Sequence, residues 1–312
     1  MVDKWRGLDR SSLMKFSRKV QNRLEYIAFR GAVGWFRLLP YSLSKALVTG
    51  IFDLAGYRIG IRRKLAEQQL QDVFPQMAKA QRDRIIRNVY RNMALNVVDI
   101  YLTDDAKLFS QCRFENKDLL AEALSRNKGV LLITGHFGDW EAPCRMLPME
   151  GYGLAMITKK QRNRLFDAFT NAIRERQGAS IIEMKGALKG VLQHTGHGDL
   201  IGILIDQDAG GRGVLMDFLG KPASNWTGTA KIALRYQIPV VPGFVIRNQD
   251  ETLTFHFEKM IDPTGLEDTQ ENVLQMIRAM NQALEDKIRQ FPEQWFWVHK
   301  RWKGARHFLP KD

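Results

Sequence analysis

The stretch GVLLITGHFGDWE, residues 129–141, decides the fold of this 312-residue chain. Its first six residues form an apolar run that is typical of a strand buried on both faces of a sheet. Gly135 and Gly138 follow at once, and glycines allow the backbone to turn sharply out of such a strand. The stretch therefore predicts a buried strand that ends in a tight turn carrying His136 and Glu141.

Short apolar runs and longer helical segments alternate after this stretch. Such alternation indicates an α/β fold with a mostly parallel central sheet flanked by helices. A longer amphipathic helix is predicted on either side of the alternating part. The predicted strands are 129–134, 154–157, 180–182, 200–205, 240–246 and 252–257, and the predicted helices are 79–102, 140–149, 163–176, 187–194, 229–236 and 268–289.

The charge of the chain is concentrated near its N-terminus. The chain has 47 Lys and Arg against 34 Asp and Glu, and residues 1–91 alone hold 19 basic and 7 acidic side chains. A basic head of this kind indicates contact with an anionic surface, either nucleic acid or lipid headgroups. Because no zinc finger, RNP motif or helix-turn-helix accompanies the charge, the sequence favours a membrane surface and no nucleic acid.

Residues 1–57 are predicted to be a basic, apolar and helical membrane-associating segment, followed by an α/β domain over 58–312. Aromatic residues, leucines and isolated basic residues alternate between 26 and 57, a pattern typical of helices that lie in a bilayer interface. The longest run without a charged residue has eleven residues, 236–246, which is too short to span a bilayer. Two buried core helices are the alternative interpretation, and no signal peptide is expected.

His136 is the candidate catalytic residue, because ligands of open α/β sheets bind at the carboxyl ends of the strands. A carboxylate that folds back from Glu141 would fix the tautomer of the imidazole and leave its other nitrogen free as a base. A structural histidine, a Glu141 that complements the start of a helix, and a metal site with Asp139 are the alternatives. The chain has no GxSxG motif or nearby nucleophile, so the substrate is expected to supply the attacking hydroxyl.

The stretch GHFGDWE resembles the HxxxxD/E block of glycerolipid acyltransferases, in the form found in bacterial lipid A biosynthesis acyltransferases. Further blocks of that family follow in the same order: an arginine block, an Asp-x-Asp block, two glycine-containing blocks and a tryptophan-rich C-terminal signature. They cover 129–303 together with the first block. Their positions are 172–178, 204–210, 218–223, 227–230 and 292–303.

The resemblance implies a glycerolipid-acyltransferase-like fold and an O-acyltransferase activity. His136 would act as general base, Glu141 would orient it, and Arg174 and Asp206 would support the site; Arg174 could bind a phosphate of the acceptor or of a phosphopantetheine arm. No acyl-enzyme, metal or dissociable cofactor is implied. The substrate-binding residues implied by the family blocks are Gly138, Trp140, Arg176, Asp208, Thr227 and Gly228.

The same resemblance implies the partners and the location. The donor would be an acyl carrier protein thioester, with acyl-CoA as the alternative, and the acceptor a lipid A precursor at the cytoplasmic face of the bacterial inner membrane. A phosphatidylinositol mannoside, lysophospholipid or aminolipid acceptor stays open, as does a lipid-binding protein without catalysis. The tryptophans Trp295, Trp297 and Trp302 are predicted to belong to the core and not to the site.

Overall fold

A computed structural model describes the backbone of residues 10–308 and the side chains of residues 18–308. The first nine residues of the predicted membrane-associating segment therefore lie outside the described residues. Nine strands are found in the described range: β1 (Cys112–Glu115), β2 (Val130–Thr134), β3 (Leu154–Thr158), β4 (Ala179–Glu183), β5 (Leu200–Leu204), β6 (Val214–Phe218), β7 (Lys221–Asn225), β8 (Val240–Arg247) and β9 (Leu253–Phe257).

Seven strands form one sheet in the order β1-β9-β8-β2-β5-β3-β4. All neighbouring pairs are parallel except β8 and β9, which are antiparallel. Strands β6 and β7 form a separate antiparallel hairpin. The predicted α/β class with a mostly parallel central sheet is thus confirmed.

Eleven α-helices of the described range surround the sheet, and a π-helical turn, Asp53–Arg58, follows the second of them. The helices are α1 (Arg10–Leu38), α2 (Tyr41–Phe52), α3 (Arg63–Val73), α4 (Lys79–Tyr101), α5 (Asp105–Ser110), α6 (Lys117–Leu124), α7 (Pro143–Met149), α8 (Arg164–Arg176), α9 (Ala187–Gly196), α10 (Gly228–Tyr236) and α11 (Gln270–Gln290).

The predicted strands all occur within a residue or two of their expected bounds, but three further strands and the helices α3, α5 and α6 were not predicted. The strands β1 and β6 have alternating half-buried and exposed side chains, and β7, with the sequence KPASN, is mostly polar, so none of the three shows the continuous apolar run that marks a central strand. The helix predicted over 140–149 begins only at Pro143, because proline is favoured in a first helical turn and Trp140–Ala142 form the preceding turn.

The core lies on both faces of the central sheet. Every residue of β2 and of β8 is buried, and Arg247 is the one charged side chain among them. Helix α11 buries one apolar stripe against the sheet, including Met276, Met280 and Leu284. This packing holds the carboxyl ends of β2 and β5 rigidly.

The N-terminal helices pack on this body along one side only. Phe29 of α1 stacks edge-on with Tyr101 and Phe166, and Val48 of α2 is buried against α4. Eleven of the eighteen large apolar side chains that are exposed within the described range lie between residues 20 and 61. Between residues 10 and 308, no helix combines the length and the hydropathy needed to cross a bilayer.

Candidate active site

The register of two neighbouring strands brings His136 and Asp206 together. Strands β2 and β5 run parallel, and their last residues, Thr134 and Leu204, are paired. His136 and Asp206 each follow two residues later, so the two side chains leave the same edge of the sheet. The backbone N–H of Ile205 still donates to the carbonyl of Thr134, which continues the pairing beyond the strands (N···O 2.9 Å).

Asp206 holds His136 through two hydrogen bonds, one to the imidazole and one to the backbone. Its Oδ1 lies 2.8 Å from Nδ1 of the ring, and its Oδ2 accepts the backbone N–H of His136 at 2.8 Å. Because an ionised carboxylate only accepts hydrogen bonds, Nδ1 carries the ring proton. The Nε2 atom is then free to accept a proton, and the imidazole is 20% exposed.

The charges of the pair shift both pKa values towards ionisation. Burial disfavours the imidazolium of His136, but the charge of Asp206 and its hydrogen bond outweigh burial and raise the pKa of His136 above its ordinary 6.5. Burial likewise disfavours the carboxylate of Asp206, but His136 outweighs it, and the pKa of Asp206 is lowered well below 3.8. The site therefore stabilises a protonated His136 beside an ionised Asp206.

Three further side chains that sequence reasoning did not assign to the site surround this pair. The indole N–H of Trp295 donates to Oδ2 of Asp206 (3.0 Å), and Nε2 of His299 lies 3.3 Å from the backbone carbonyl of Asp206. Nε2 of Gln207 lies 3.4 Å from Nε2 of His136. Trp295 is fully buried, as predicted, but it was not expected beside His136, and its indole contacts the carboxylate that holds His136.

Glu141 does not orient His136, and that prediction is wrong. Its carboxylate instead forms a two-point ion pair with Arg174, with Nε–Oε2 and Nη2–Oε1 distances of 2.9 and 2.5 Å. The Nη1 atom of Arg174 donates to Oδ1 of Asn171 (3.0 Å). The turn from β2 places Glu141 against helix α8, while the adjacent strand β5 delivers a carboxylate directly to the ring. Glu141 acts on His136 only at a distance, where its charge raises the pKa of the imidazole.

The turn after His136 is fixed by buried polar contacts. Gly138 has a φ of 55°, its N–H donates to the carbonyl of Gln294 (2.8 Å), and its carbonyl accepts from Asn96 (2.7 Å). A Cβ atom at this position would lie 1.7 Å from the carbonyl oxygen of Val245. Both backbone groups of Gly138 are thus paired within the protein, and its role in substrate binding stays a prediction.

The side chain of Asp139 also stabilises this turn. Its Oδ1 accepts the N–H of Ala142, and its Oδ2 pairs with Arg247, which also reaches Asp99. Burial raises the pKa of Asp139 to about 6, against the opposing charge of Arg247. Among the described residues, no group of three or more His, Cys, Asp or Glu side chains is placed to hold a metal ion.

The other predicted substrate-binding residues lie at different places. The ring of Trp140 is 5.3 Å from that of His136 and lines the site. Arg176 is exposed in the last turn of α8, and Asp208 accepts the N–H of Gly210 in a turn (3.1 Å). Thr227 and Gly228 begin α10, and no hydrogen bond between described side chains joins them to His136. Only Trp140 of these six is brought against the imidazole.

The arrangement is suited to general base catalysis on a hydroxyl. A neutral imidazole whose Nδ1–H is held by a buried carboxylate can take a proton at Nε2, and the resulting imidazolium is stabilised by the carboxylate. The aromatic rings of Trp140 and Phe296, 5.3 and 5.9 Å from His136, give the base an apolar surrounding. Such a surrounding strengthens electrostatic interactions at the reacting atoms.

Known proteins are similar in sequence over most of this chain. A lipid A biosynthesis acyltransferase of Haemophilus influenzae is 25% identical over 265 residues, 83% of this chain and 81% of that protein. The lipid A biosynthesis lauroyltransferase of Escherichia coli K12 is 23% identical and covers 96% of this chain and 99% of its own length. The palmitoleoyltransferase of lipid A biosynthesis from the same strain is 24% identical over 93% of this chain and 95% of its own.

The sequence pattern described as bacterial lipid A biosynthesis acyltransferase matches residues 13–304. The match includes both strands that deliver the His136–Asp206 pair and the C-terminal turn that carries Trp295. The resemblance seen in the sequence is thereby confirmed. The chain belongs to the bacterial lipid A biosynthesis acyltransferase family, and it is an acyltransferase.

Proposed function

We propose that this enzyme transfers a fatty acyl chain from an acyl carrier protein thioester to a hydroxyl of a lipid A precursor or a similar phosphoglycolipid. The observation that carries the proposal is the His136–Asp206 pair at the carboxyl edge of the sheet, where Nε2 of the imidazole is unprotonated and contacts only the side-chain amide of Gln207, at 3.4 Å. The relatives that act in lipid A biosynthesis support the choice of acceptor. The reaction takes place at the cytoplasmic face of the inner membrane.

The proposed reaction begins with proton removal. Nε2 of His136 takes the proton of the acceptor hydroxyl while the hydroxyl oxygen attacks the thioester carbonyl. The tetrahedral oxyanion collapses with cleavage of the C–S bond, and the imidazolium returns its proton to the leaving thiolate. Asp206 stabilises the imidazolium throughout. Because the acceptor hydroxyl attacks the thioester directly, no acyl-enzyme is needed, and the ester and the free thiol account for all atoms.

The ion pair of Glu141 and Arg174 plays a positioning role in this proposal. All three guanidinium nitrogens of Arg174 donate hydrogen bonds, two to Glu141 and one to Asn171. The charge of Arg174 thereby holds the Glu141 carboxylate near His136. Arg174 is only 16% exposed, and the charge and hydrogen bonds of Glu141 outweigh its burial and raise its pKa. A phosphate-binding role for Arg174 would require this pair to open.

Membrane association is assigned to α1, α2 and the turn that follows them. Leu43, Leu47, Ile51 and Leu54 recur at helical spacing and are 37–55% exposed. Together with the basic surplus of this region, such a stripe is suited to an anionic bilayer surface. The enzyme would thus meet a lipid acceptor where that lipid resides.

The test is acyl transfer from a radiolabelled acyl carrier protein thioester to a panel of lipid A precursors and lysophospholipids, with acyl-CoA as a second donor. We expect wild-type enzyme to acylate one lipid A precursor, and His136→Ala to lose about 10²–10⁴-fold in rate. His194→Ala is the matched control, because Nδ1 of His194 also pairs with an aspartate, Asp199, at 2.7 Å outside the site. Equal rates for wild type and His136→Ala would overturn the mechanism, and acylation of a lysophospholipid alone would overturn the acceptor.

A further inference from the structure

A cleft lies between α2 and α4, and each helix lines it with four residues at helical spacing. It has a volume of about 520 Å³. On α4 the stripe consists of Arg84, Arg87, Asn88 and Arg91, at positions i, i+3, i+4 and i+7. On α2 and its following turn the same spacing gives Ala46, Thr49, Gly50 and Asp53. Small side chains on one wall thus leave room for a ligand that faces three arginines on the other.

The cleft keeps a positive charge after its ion pairs are counted. Asp53 is shared by two cations, Arg58 and Arg87, with N···O distances of 2.8 and 2.9 Å. Glu251 is likewise shared by Lys45 and Arg91. Two carboxylates are therefore shared by four cations, and of these six groups Asp53, Arg87 and Arg91 line the cleft.

Arg84 adds a further charge to the same cleft. It is exposed and has no ion pair with any other described residue. Guanidinium groups present parallel N–H donors that match the oxygens of a phosphate ester. The cleft thus offers an excess of donors to an anion.

The cleft borders directly on the exposed apolar stripe of α2. Residues 46, 49, 50 and 53 line the cleft, whereas Leu47, Ile51 and Leu54 occupy the neighbouring side of the same helix and are 37%, 52% and 55% exposed. A ligand with an anionic head in the cleft would therefore have apolar chains beside these three side chains. A phospholipid has this combination of charge and apolar surface.

We infer that the cleft between α2 and α4 binds the phosphodiester headgroup of an anionic membrane phospholipid, with the arginines of α4 as phosphate ligands. The inference deepens the membrane association proposed above and rests on it. The bound lipid is a docking ligand and not the acceptor, because the cleft and the His136–Asp206 pair share no lining residue.

The experiment measures binding of the full chain to vesicles of phosphatidylcholine alone and of phosphatidylcholine with phosphatidylglycerol. Wild type should prefer the anionic vesicles, and Arg84→Gln/Arg87→Gln should weaken that binding about 10–30-fold, since each charge at an anionic surface contributes roughly fivefold. Arg113→Gln/Lys189→Gln removes two exposed charges elsewhere and should leave most of the binding intact.

A second variant distinguishes binding of a headgroup in the cleft from general attraction between a basic surface and an anionic membrane. A Cβ at Gly50 would meet no atom within 4 Å, so Gly50→Phe fills the cleft without changing the charge. It should weaken binding to anionic vesicles, and to a water-soluble short-chain phosphatidylglycerol, as strongly as the double arginine variant does. Inorganic phosphate alone should compete poorly, because it lacks the apolar chains.

The outcomes distinguish this inference from the proposed function. Unchanged lipid binding by Gly50→Phe, or equal losses in both double variants, would overturn the headgroup site. Wild-type protein that binds neither kind of vesicle would overturn it together with the membrane association. Acyl transfer measured in detergent micelles should be unaffected by all these variants, so failure of the enzymatic proposal is visible independently.

Discussion

The carboxyl edge of the central sheet and the N-terminal helices differ in which side chains they bury and which they expose. At the sheet edge, charged groups are buried and paired, and Nε2 of the His136 imidazole stays unprotonated beside aromatic rings. On α1 and α2, apolar side chains are exposed and the charges lie around them. In the first arrangement, hydrogen bonds and ion pairs between buried groups are strong because solvent does not screen them. In the second, the apolar side chains stay exposed to solvent and can be buried only by contact with another surface. The two regions should therefore respond differently to substitution.

The largest effect is expected from Asp206→Asn, which removes the charge that stabilises the imidazolium. The rate of acyl transfer at saturating substrate should fall about 10²–10⁴-fold, because the amide can neither fix the ring proton nor balance its charge. Steady-state kinetics with the carrier thioester would measure this. Asp199→Asn, in the other His–Asp pair, is the control and should retain wild-type activity. A similar loss in both variants would point to folding and not to the base.

The rigidity of the sheet edge is tested by Gly138→Ala. The free energy of unfolding should fall by more than about 2 kcal/mol, since the new Cβ would collide with the carbonyl of Val245 and the residue has a positive φ. Chemical denaturation measures the change. Gly186→Ala is the control, because Gly186 also has a positive φ, 80°, but faces open space. An equal loss in both would show that the collision contributes nothing.

The Glu141–Arg174 pair should show strong coupling in a double-mutant cycle. Glu141→Gln and Arg174→Gln should each destabilise the fold, and the double variant by less than their sum, with a coupling energy of about 1–3 kcal/mol. The two side chains are only 21% and 16% exposed, so solvent screens them weakly. The exposed pair Lys160 and Glu183 should give less than about 1 kcal/mol. Zero coupling for Glu141 and Arg174 would contradict their assigned contact.

The smallest effect on stability is expected in the N-terminal helices. Ile51→Ser/Leu54→Ser should change the free energy of unfolding by less than about 0.5 kcal/mol, since both side chains are already more than half exposed. The same variant should bind vesicles about tenfold more weakly, because the apolar area that enters the bilayer is lost. Met184→Ser/Leu188→Ser, with similar exposure on the body, should leave vesicle binding unchanged. Equal vesicle binding by both variants would contradict a role of α2 in membrane association.

The central sheet was predictable from the sequence because its strands are continuous apolar runs with helices between them. The edge strand β1 and the separate hairpin of β6 and β7 were not, since these three strands form by pairing with other strands and not from an apolar pattern of their own. The helical character of the N-terminal region was also predictable. Its exposed apolar stripe depends on which side packs against α4, and this only the structure provides.

The candidate site was predictable in its residues but not in its pairing. His136, Glu141, Arg174 and Asp206 all lie at the site, yet sequence proximity favoured Glu141 as the partner of His136. The parallel register of β2 and β5, each followed after one residue by His136 or Asp206, is the signal that identifies the true partner. The place of Trp295 could not be found in this way, because its indole arrives from a C-terminal turn whose path is set by tertiary packing.

The pH dependence of kcat/KM for wild type and Asp206→Asn tests the central claim most directly. A general base works when neutral, and a raised pKa keeps His136 protonated to higher pH, so wild-type activity should rise with pH through an apparent pKa above 6.5. In Asp206→Asn the counter-charge is gone, and the residual activity should rise at lower pH. If the two profiles rise at the same pH, Asp206 does not tune the base, and His136 does not act as proposed here.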